Sequence, residues 1–458
     1  MLKLLKNNIN KENTAPVKYD LEPVGKKSFE EALILIRKLF SEPSAHKKEE
    51  LEVISSLEIG AMHGEIESKQ KLIEKIKNTM DRFGIDVTGM AREEASLEIY
   101  KYSWGLGPLE EIYDHPDVDE VEVVDTKTVY TIRKGVYTKE NVEFNTKDEL
   151  LSLIKRILRS DRVDLNERNP RARSVRADGT RVVATGPPIT SQYTLSLRKH
   201  NTFVLTKENL VNNGTMDGET YEKLALMSEG RLNILFSGPV NAGKTSLIRH
   251  FFRYSQPELR SVAIEPDSEL RLLEQYPGWN IIELEEQIKL KMDNEELFEL
   301  ALQLSPVRII IGEILGLKEL RGAVKAGIRG QTGNFSTYHS RDIRQALHNL
   351  AITYSQDFSS VSMSLDLAMT WIVQAFDVVV QLWTDPKRGL KKVIHIASPR
   401  IDKDRGLVLD DIVKWHGSED DYCSGYYEHL NIPERVQEIL HQNGVPEDKI
   451  VRCHRPRA

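Results

Sequence analysis

At 458 residues the chain is long enough for two or three domains. Its composition, 40% apolar and 29% charged, is that of an ordinary soluble globular protein. Acidic residues outnumber basic ones, 70 to 63, for a net charge of −7, which argues against nucleic acid as the main partner, since that needs a basic surplus. The two cysteines, Cys423 and Cys453, have no Cys-x-x-Cys spacing and imply no disulfide framework, which fits a reduced cytoplasmic protein. Met1–Lys6 turns polar too soon for a signal peptide, and the most apolar run, Trp371–Trp383, is short and carries Asp377. It reads as a helix end and a core strand. These features predict no direct membrane insertion.

In chain order, residues 1–27 read as a flexible polar tail, and 28–103 as a helical domain. Ser28 and Glu31 form a capping box, and Phe29, Leu33, Ile36 and Phe40 share one helical face. Further helices are predicted over 49–62, 65–83 and 91–102. Residues 104–200 read as an α+β domain: strands over 118–124 and 129–133 around a Lys134-Gly135 turn, a helix over 147–159, and a second hairpin at Asp178-Gly179. Strands over 181–184 and 193–198 complete it. A linker is placed at 201–215, an α/β nucleotide domain at 216–400, and a mixed polar C-terminal extension at 401–458 with a helix near 433–443.

Most of the functional information lies in Gly238-Pro239-Val240-Asn241-Ala242-Gly243-Lys244-Thr245. The pattern Gly-x4-Gly-Lys-Thr follows an apolar strand, 232–237, and precedes a helix-compatible run from Ser246. Glycines let the backbone curl so that successive N–H groups face phosphate oxygens, and the helix start adds partial positive charge. Lys244 can then reach the β and γ phosphates and Thr245 can hold Mg²⁺, which makes ATP and Mg²⁺ the expected ligands. Hydrolysis also needs carboxylates. Strand 307–313 ends in Glu313, placed like a Walker B acid in the Mg²⁺ shell. Strand 261–265 ends in Glu265, the candidate for polarising water, with Asp267 and Glu269 just beyond. His339 ends a further strand and is the candidate γ-phosphate sensor.

The order of these segments resembles the type II and type IV secretion and pilus-assembly ATPase superfamily, nearest in pattern to the CpaF-like ATPases of tight-adherence pili. The resemblance spans about 100–400 and rests on Gly105–Glu110, Asp178–Val182, Pro187-Pro188, Leu195–Lys199, Arg231–Leu235, Ile264-Glu265, Ile311–Glu313, Ser336–His339 and Ala375–Gln381. It implies a RecA-like P-loop domain preceded by a smaller α+β domain and an N-terminal helical bundle. It also implies a homo-hexamer at the inner face of the cytoplasmic membrane, working on an integral membrane platform protein, with Arg181 and Arg198 of the preceding domain reaching the phosphates. The chain departs from the pattern at Gln331, where the family usually has His, at Pro266 inside the acidic box, and at Val175, Gln303, Ser305 and Leu315, where arginines are usual. Fewer positive charges weaken transition-state stabilisation. Either Arg308, Arg321 and Arg329 compensate, or hydrolysis is slow and the chain is a nucleotide-binding regulatory subunit. A nucleic-acid motor is disfavoured by the acidic balance.

Overall fold

The structure, a computed structural model, describes residues 25–41, 48–159, 163–199, 205–266, 269–287, 290, 292–356 and 363–454. The expected tail up to residue 24, Asp267 and linker residues 201–204 lie outside them. The chain divides into two compact units, 1–132 with 138–200, and 201–458 with 133–137.

In the first unit the elements are β1 (Gly25–Lys27), α1 (Phe29–Ser41), α2 (Lys48–Met62), α3 (Ile66–Phe83), β2 (Ile85–Val87), α4 (Arg92–Ser103), α5 (Glu110–Asp114), β3 (Val118–Asp125) and β4 (Thr128–Arg133), followed by β5 (Val136–Glu140), α6 (Lys147–Leu158), β6 (Arg171–Val175), β7 (Arg181–Thr185) and β8 (Thr194–Arg198). The capping box opens α1 as expected: Ser28 N–H donates to Glu31 Oε2 (3.0 Å) and Glu31 N–H to Ser28 Oγ (3.3 Å). Ile36 and Phe40 of the anticipated face are buried. Gly25–Lys27, read as tail, instead pairs in parallel with Ile85–Val87.

The helices and the six-stranded sheet, ordered β5-β4-β3-β8-β7-β6, belong to one unit apart from residues 133–137 at the β4–β5 turn. Part of what ties them together is the C-terminus of α4. Arg156 of α6 donates to Tyr102 O (2.9 Å), and Arg37 of α1 donates to Tyr102 O (2.5 Å) and Ser103 Oγ (3.0 Å). Terminal helix carbonyls lack intrahelical donors, and the two guanidinium groups supply them. Burial lowers the Arg156 pKa to about 10.

Strand alternation sorts the sheet into two faces. Ala172, Val182, Ala184, Leu195 and Leu197 face the core, with Val121 and Val123 of β3. Arg173, Arg181 and Arg198 take the opposite face. Arg181 is the direct register partner of Arg198 across β7 and β8, and Arg198 also opposes Glu120 of β3.

The second unit contains α7 (Lys207–Asn212), α8 (Gly218–Glu229), β9 (Ile234–Ser237), α9 (Lys244–Phe251), β10 (Ser261–Glu265), α10 (Leu272–Gln275), β11 (Ile281–Glu285), α11 (Asn294–Gln303), β12 (Arg308–Ile311), α12 (Leu317–Ile328) and β13 (Phe335–Tyr338). Then come α13 (Ile343–Ser355), α14 (Leu365–Ala375), β14 (Val378–Asp385), β15 (Leu390–Asp402), β16 (Gly406–Gly417), β17 (Gly425–His429), α15 (Glu434–Gln442) and α16 (Glu447–His454). Nine strands form one sheet in the order β11-β10-β12-β13-β9-β14-β15-β16-β17. The pairings from β11 to β14 are parallel and the rest antiparallel. Strands β9, β10 and β12 are buried throughout, as parallel strands covered on both faces must be. One core joins the sheet to α8, α9 and the C-terminal helices, and another joins it to α11–α14, giving an α/β architecture. The sheet does not end near residue 400. β16 and β17 extend it, and Val436, Leu440, Val445 and Ile450 are core residues.

Removing the Arg156 guanidinium takes one charged donor from the end of α4 and leaves Tyr102 O with Arg37 alone. Arg156→Ala is expected to lower the stability of the first unit by about 1.5–3 kcal/mol, the usual range for a charged hydrogen bond. The shift in urea midpoint followed by a probe in that unit measures it.

Candidate nucleotide-binding site

Parallel pairing gathers the motif residues at one edge of the sheet. Ser237 at the end of β9 is in register with Tyr338 at the end of β13, so Gly238 and His339 leave the sheet side by side. Ile264 is in register with Ile311, and the Gly312 N–H bonds Ile264 O (3.0 Å), which carries Glu265 and Glu313 to the same edge.

The loop needs its residue types. A Cβ on Gly238 would lie 2.9 Å from Leu382 Cβ, and Gly243 adopts φ +89°. Asn241 also sits in the left-handed region, at φ +61°, which Asn tolerates better than most residues. Ala242 is buried and its N–H bonds Pro239 O, whereas Val240 is exposed at the tip. Lys244 opens α9 and is only 6% exposed.

The Lys244 ammonium donates to Gly238 O (3.1 Å), Pro239 O (2.9 Å) and His339 Nδ1 (3.0 Å). An ammonium has only donors, so His339 Nδ1 accepts. Its other nitrogen, Nε2, meets Glu313 Oε1 at 2.5 Å, and a carboxylate there makes Nε2 the donor. His339 as the Nε2–H tautomer therefore links the loop lysine to the Walker B carboxylate. Thr245 Oγ1 donates to Glu269 Oε2 (3.3 Å), so the acid against the expected Mg²⁺ ligand is Glu269, and Glu313 is held by His339. A hydroxyl beside a carboxylate suits a hard, oxygen-seeking cation.

Glu265 is 4% exposed and is gripped by N–H groups of Leu270 (3.1 Å) and Glu269 (3.3 Å). Burial dominates over these bonds and pushes its pKa up to about 8, with the charges of Glu269 and Glu283 adding to the rise. Gly312 makes room for it: a Cβ there would lie 2.7 Å from Glu265 Cγ.

Beside the loop lies a cavity of about 170 Å³, with Gly243, Ser246 and Arg249 on one side and Leu205, Leu210, Gln275, Leu382 and Lys391 around the rest. The peptide N–H groups of the loop, Lys244 and this partly apolar cavity fit a nucleotide: phosphates on the loop, a base among the leucines. Lys391 and Arg249 carry no motif. Strand pairing alone brings Lys391 here, some 150 residues after the loop.

Of the arginines that could compensate, two are placed by their bonds and the third by its helix. Arg308 begins β12 at the opposite edge, fully buried, bonding Gly333 O (2.8 Å) and Ser261 Oγ (3.0 Å). Arg321 pairs with Glu295 (3.2 Å), and Arg329 follows the C-terminus of α12. Arg181 and Arg198 belong to the first unit.

Fold and site define an α/β protein with a phosphate-binding loop, built to take a nucleotide. The profile of the Type II/IV secretion system protein family matches residues 122–402, and the chain belongs to that family. It is 26% identical over 218 residues to conjugal transfer protein TrbB of Rhizobium radiobacter, covering 47% of this chain and 64% of that protein. Over 313 residues it is 23% identical to protein VirB11 of Agrobacterium fabrum, covering 60% and 87%. The chain thus spans less than two thirds of that TrbB, and 49% of a probable TrbB of Sinorhizobium fredii. Among solved structures, the ATPase DotB of Legionella pneumophila aligns at a TM-score of 0.45 and 13% identity, over 74% of this chain and 83% of that one. No helix among the described residues is long and apolar enough to cross a membrane.

The folded protein holds the Glu265 proton up to about pH 8, whereas an ordinary glutamate releases it near 4.5. Between those values the folded state binds more protons than the unfolded one, so this group lowers stability as pH rises through the window. Glu265→Gln cannot ionise. It is expected to melt close to wild type near pH 5 and above it at pH 8. An equal loss at both pH values would contradict the assignment.

Proposed function

We propose that this chain is an ATPase that binds and hydrolyses Mg·ATP to drive pilus assembly or protein secretion. The observation that carries this reading is the Lys244 ammonium, held by two loop carbonyls and His339. A triphosphate offers stronger, charged acceptors, so Lys244 turns to the β and γ oxygens and gives up His339 Nδ1. His339 then faces the γ-phosphate with that nitrogen and keeps Glu313 with the other. Thr245, with Glu269 beside it and Glu313 on His339, would hold Mg²⁺, which would neutralise charge on the phosphates. Glu265, once ionised, orients the attacking water. Loop amides from Gly238 to Ser246 cradle the phosphates.

Arg181 and Arg198 complete the site in this reading. Two like charges set directly opposite on adjacent strands disfavour the sheet unless an anion joins them. A nucleotide phosphate is such an anion.

The working form is a homo-hexamer, on the cytoplasmic face of a membrane, acting on an integral platform protein, and the motif order favours the CpaF-like branch. The names of relatives agree in kind: conjugal transfer proteins. A second reading, a nucleotide-binding regulatory subunit with little turnover, is favoured by one observation, the pKa of Glu265 near 8. A water-orienting carboxylate that stays protonated at neutral pH is a poor base.

Two experiments test the proposal. Wild type is expected to turn over ATP with Mg²⁺, more so as pH rises toward 8; Lys244→Ala should abolish nucleotide binding by calorimetry, and Glu313→Gln should bind but not turn over. Binding without turnover in wild type at every pH supports the regulator, and unchanged affinity in Lys244→Ala contradicts the site. Arg198→Ala is expected to cut turnover about tenfold or more while affinity changes less, since it acts on developing charge. Wild-type kinetics would confine both arginines to surface pairing.

A further inference from the structure

The structure assigns Lys391 a direct role in holding the nucleotide: we propose that it is a second phosphate-binding lysine, placed for the α and β phosphates rather than the γ. The inference rests on the nucleotide reading of the loop and adds a residue that no motif contains.

The placement follows from topology. β14 runs parallel to β9, with Gln381 in register with Ser237, so its end passes the phosphate loop and Leu382 packs against Gly238. β15 returns antiparallel, with Lys391 opposite Thr384, and therefore begins at the edge where the loop lies. Successive residues of a strand point to opposite faces, and the two lysines divide accordingly. Lys392 is buried, its ammonium 3.6 Å from the centre of the Trp415 ring and bonded to Gly214 O (2.9 Å). Its role is structural. Lys391 goes the other way: its Cδ lies 3.6 Å from where a Cβ on Gly243 would be, and it lines the cavity beside the loop. The half-exposed side chain has its apolar stem over the glycine and a flexible end to swing toward an anion.

Which phosphate it meets follows from the cavity wall. The loop residues there are Ala242, Gly243 and Ser246, whereas Lys244 is turned to His339 and Thr245 to Glu269. The γ-phosphate machinery of His339, Glu313 and Glu265 is not part of the wall. A cation on the cavity side meets the part of the nucleotide shared by ATP and ADP. It thus strengthens binding of both without favouring the transition state.

The test is equilibrium binding of ATP and ADP by calorimetry to the full chain, for wild type, Lys391→Ala, Lys391→Arg and Lys244→Ala. Lys391→Ala is expected to weaken ATP and ADP alike, about tenfold, as loss of one charge-assisted contact implies. Lys391→Arg should recover most of the affinity, and the melting temperature without nucleotide should stay at the wild-type value. Unchanged affinities in Lys391→Ala, alongside lost binding in Lys244→Ala, overturn this role and leave the loop assignment standing. A loss for ATP alone overturns the placement at the α and β phosphates. Unchanged binding in both alanine variants removes the nucleotide reading, and this inference with it.

Discussion

Everything at the candidate site depends on the register between β9 and β13. Pairing Ser237 with Tyr338 puts the first glycine of the phosphate loop beside His339, and the Lys244–His339–Glu313 connection follows from it. A shift by one residue would turn His339 to the other face and break the connection. Such a slip is opposed by burial on both faces: Leu235 and Phe236 of β9 and Phe335 of β13 are sealed in the cores on either side of the sheet.

The site is also a balance of solvation. Glu265 sits in a space opened by Gly312, bonded to backbone N–H groups yet too buried for those bonds to keep it ionised. Glu313 lies nearer solvent, against His339. Two carboxylates that look alike in sequence, each at or just past the end of a buried strand, are thereby given different surroundings. Separation of this kind is how one site can orient water with one acid and stabilise a metal shell with another.

Much of this was legible in the sequence, for physical reasons. The loop motif and the strand end at Glu265 are local patterns: glycines where the backbone must curl, apolar runs where a strand is buried on both faces; the strands expected to run to Glu313 and His339 stop at Ile311 and Tyr338. The Ser28–Glu31 cap was equally readable, because both partners lie within one turn. What was missed is non-local. β15, β16 and β17 are antiparallel and mixed in polarity, so residues 401–458 look like an extension until pairing makes them part of the sheet. Lys391 is invisible to any motif for the same reason. Of the two alternatives, compensation by Arg308 loses ground, because proximity in sequence to Glu313 says nothing about which edge of the sheet a strand begins on; four residues of β12 separate the two edges.

The central claim is that Lys244 exchanges its loop and histidine acceptors for phosphate. A crystal structure with Mg²⁺ and a non-hydrolysable ATP analogue tests it most directly. The account predicts Lys244 Nζ within hydrogen-bond distance of β and γ oxygens, withdrawn from Gly238 O, Pro239 O and His339 Nδ1, with His339 Nε2 still on Glu313. Lys244 remaining on His339 while the analogue sits elsewhere would contradict it.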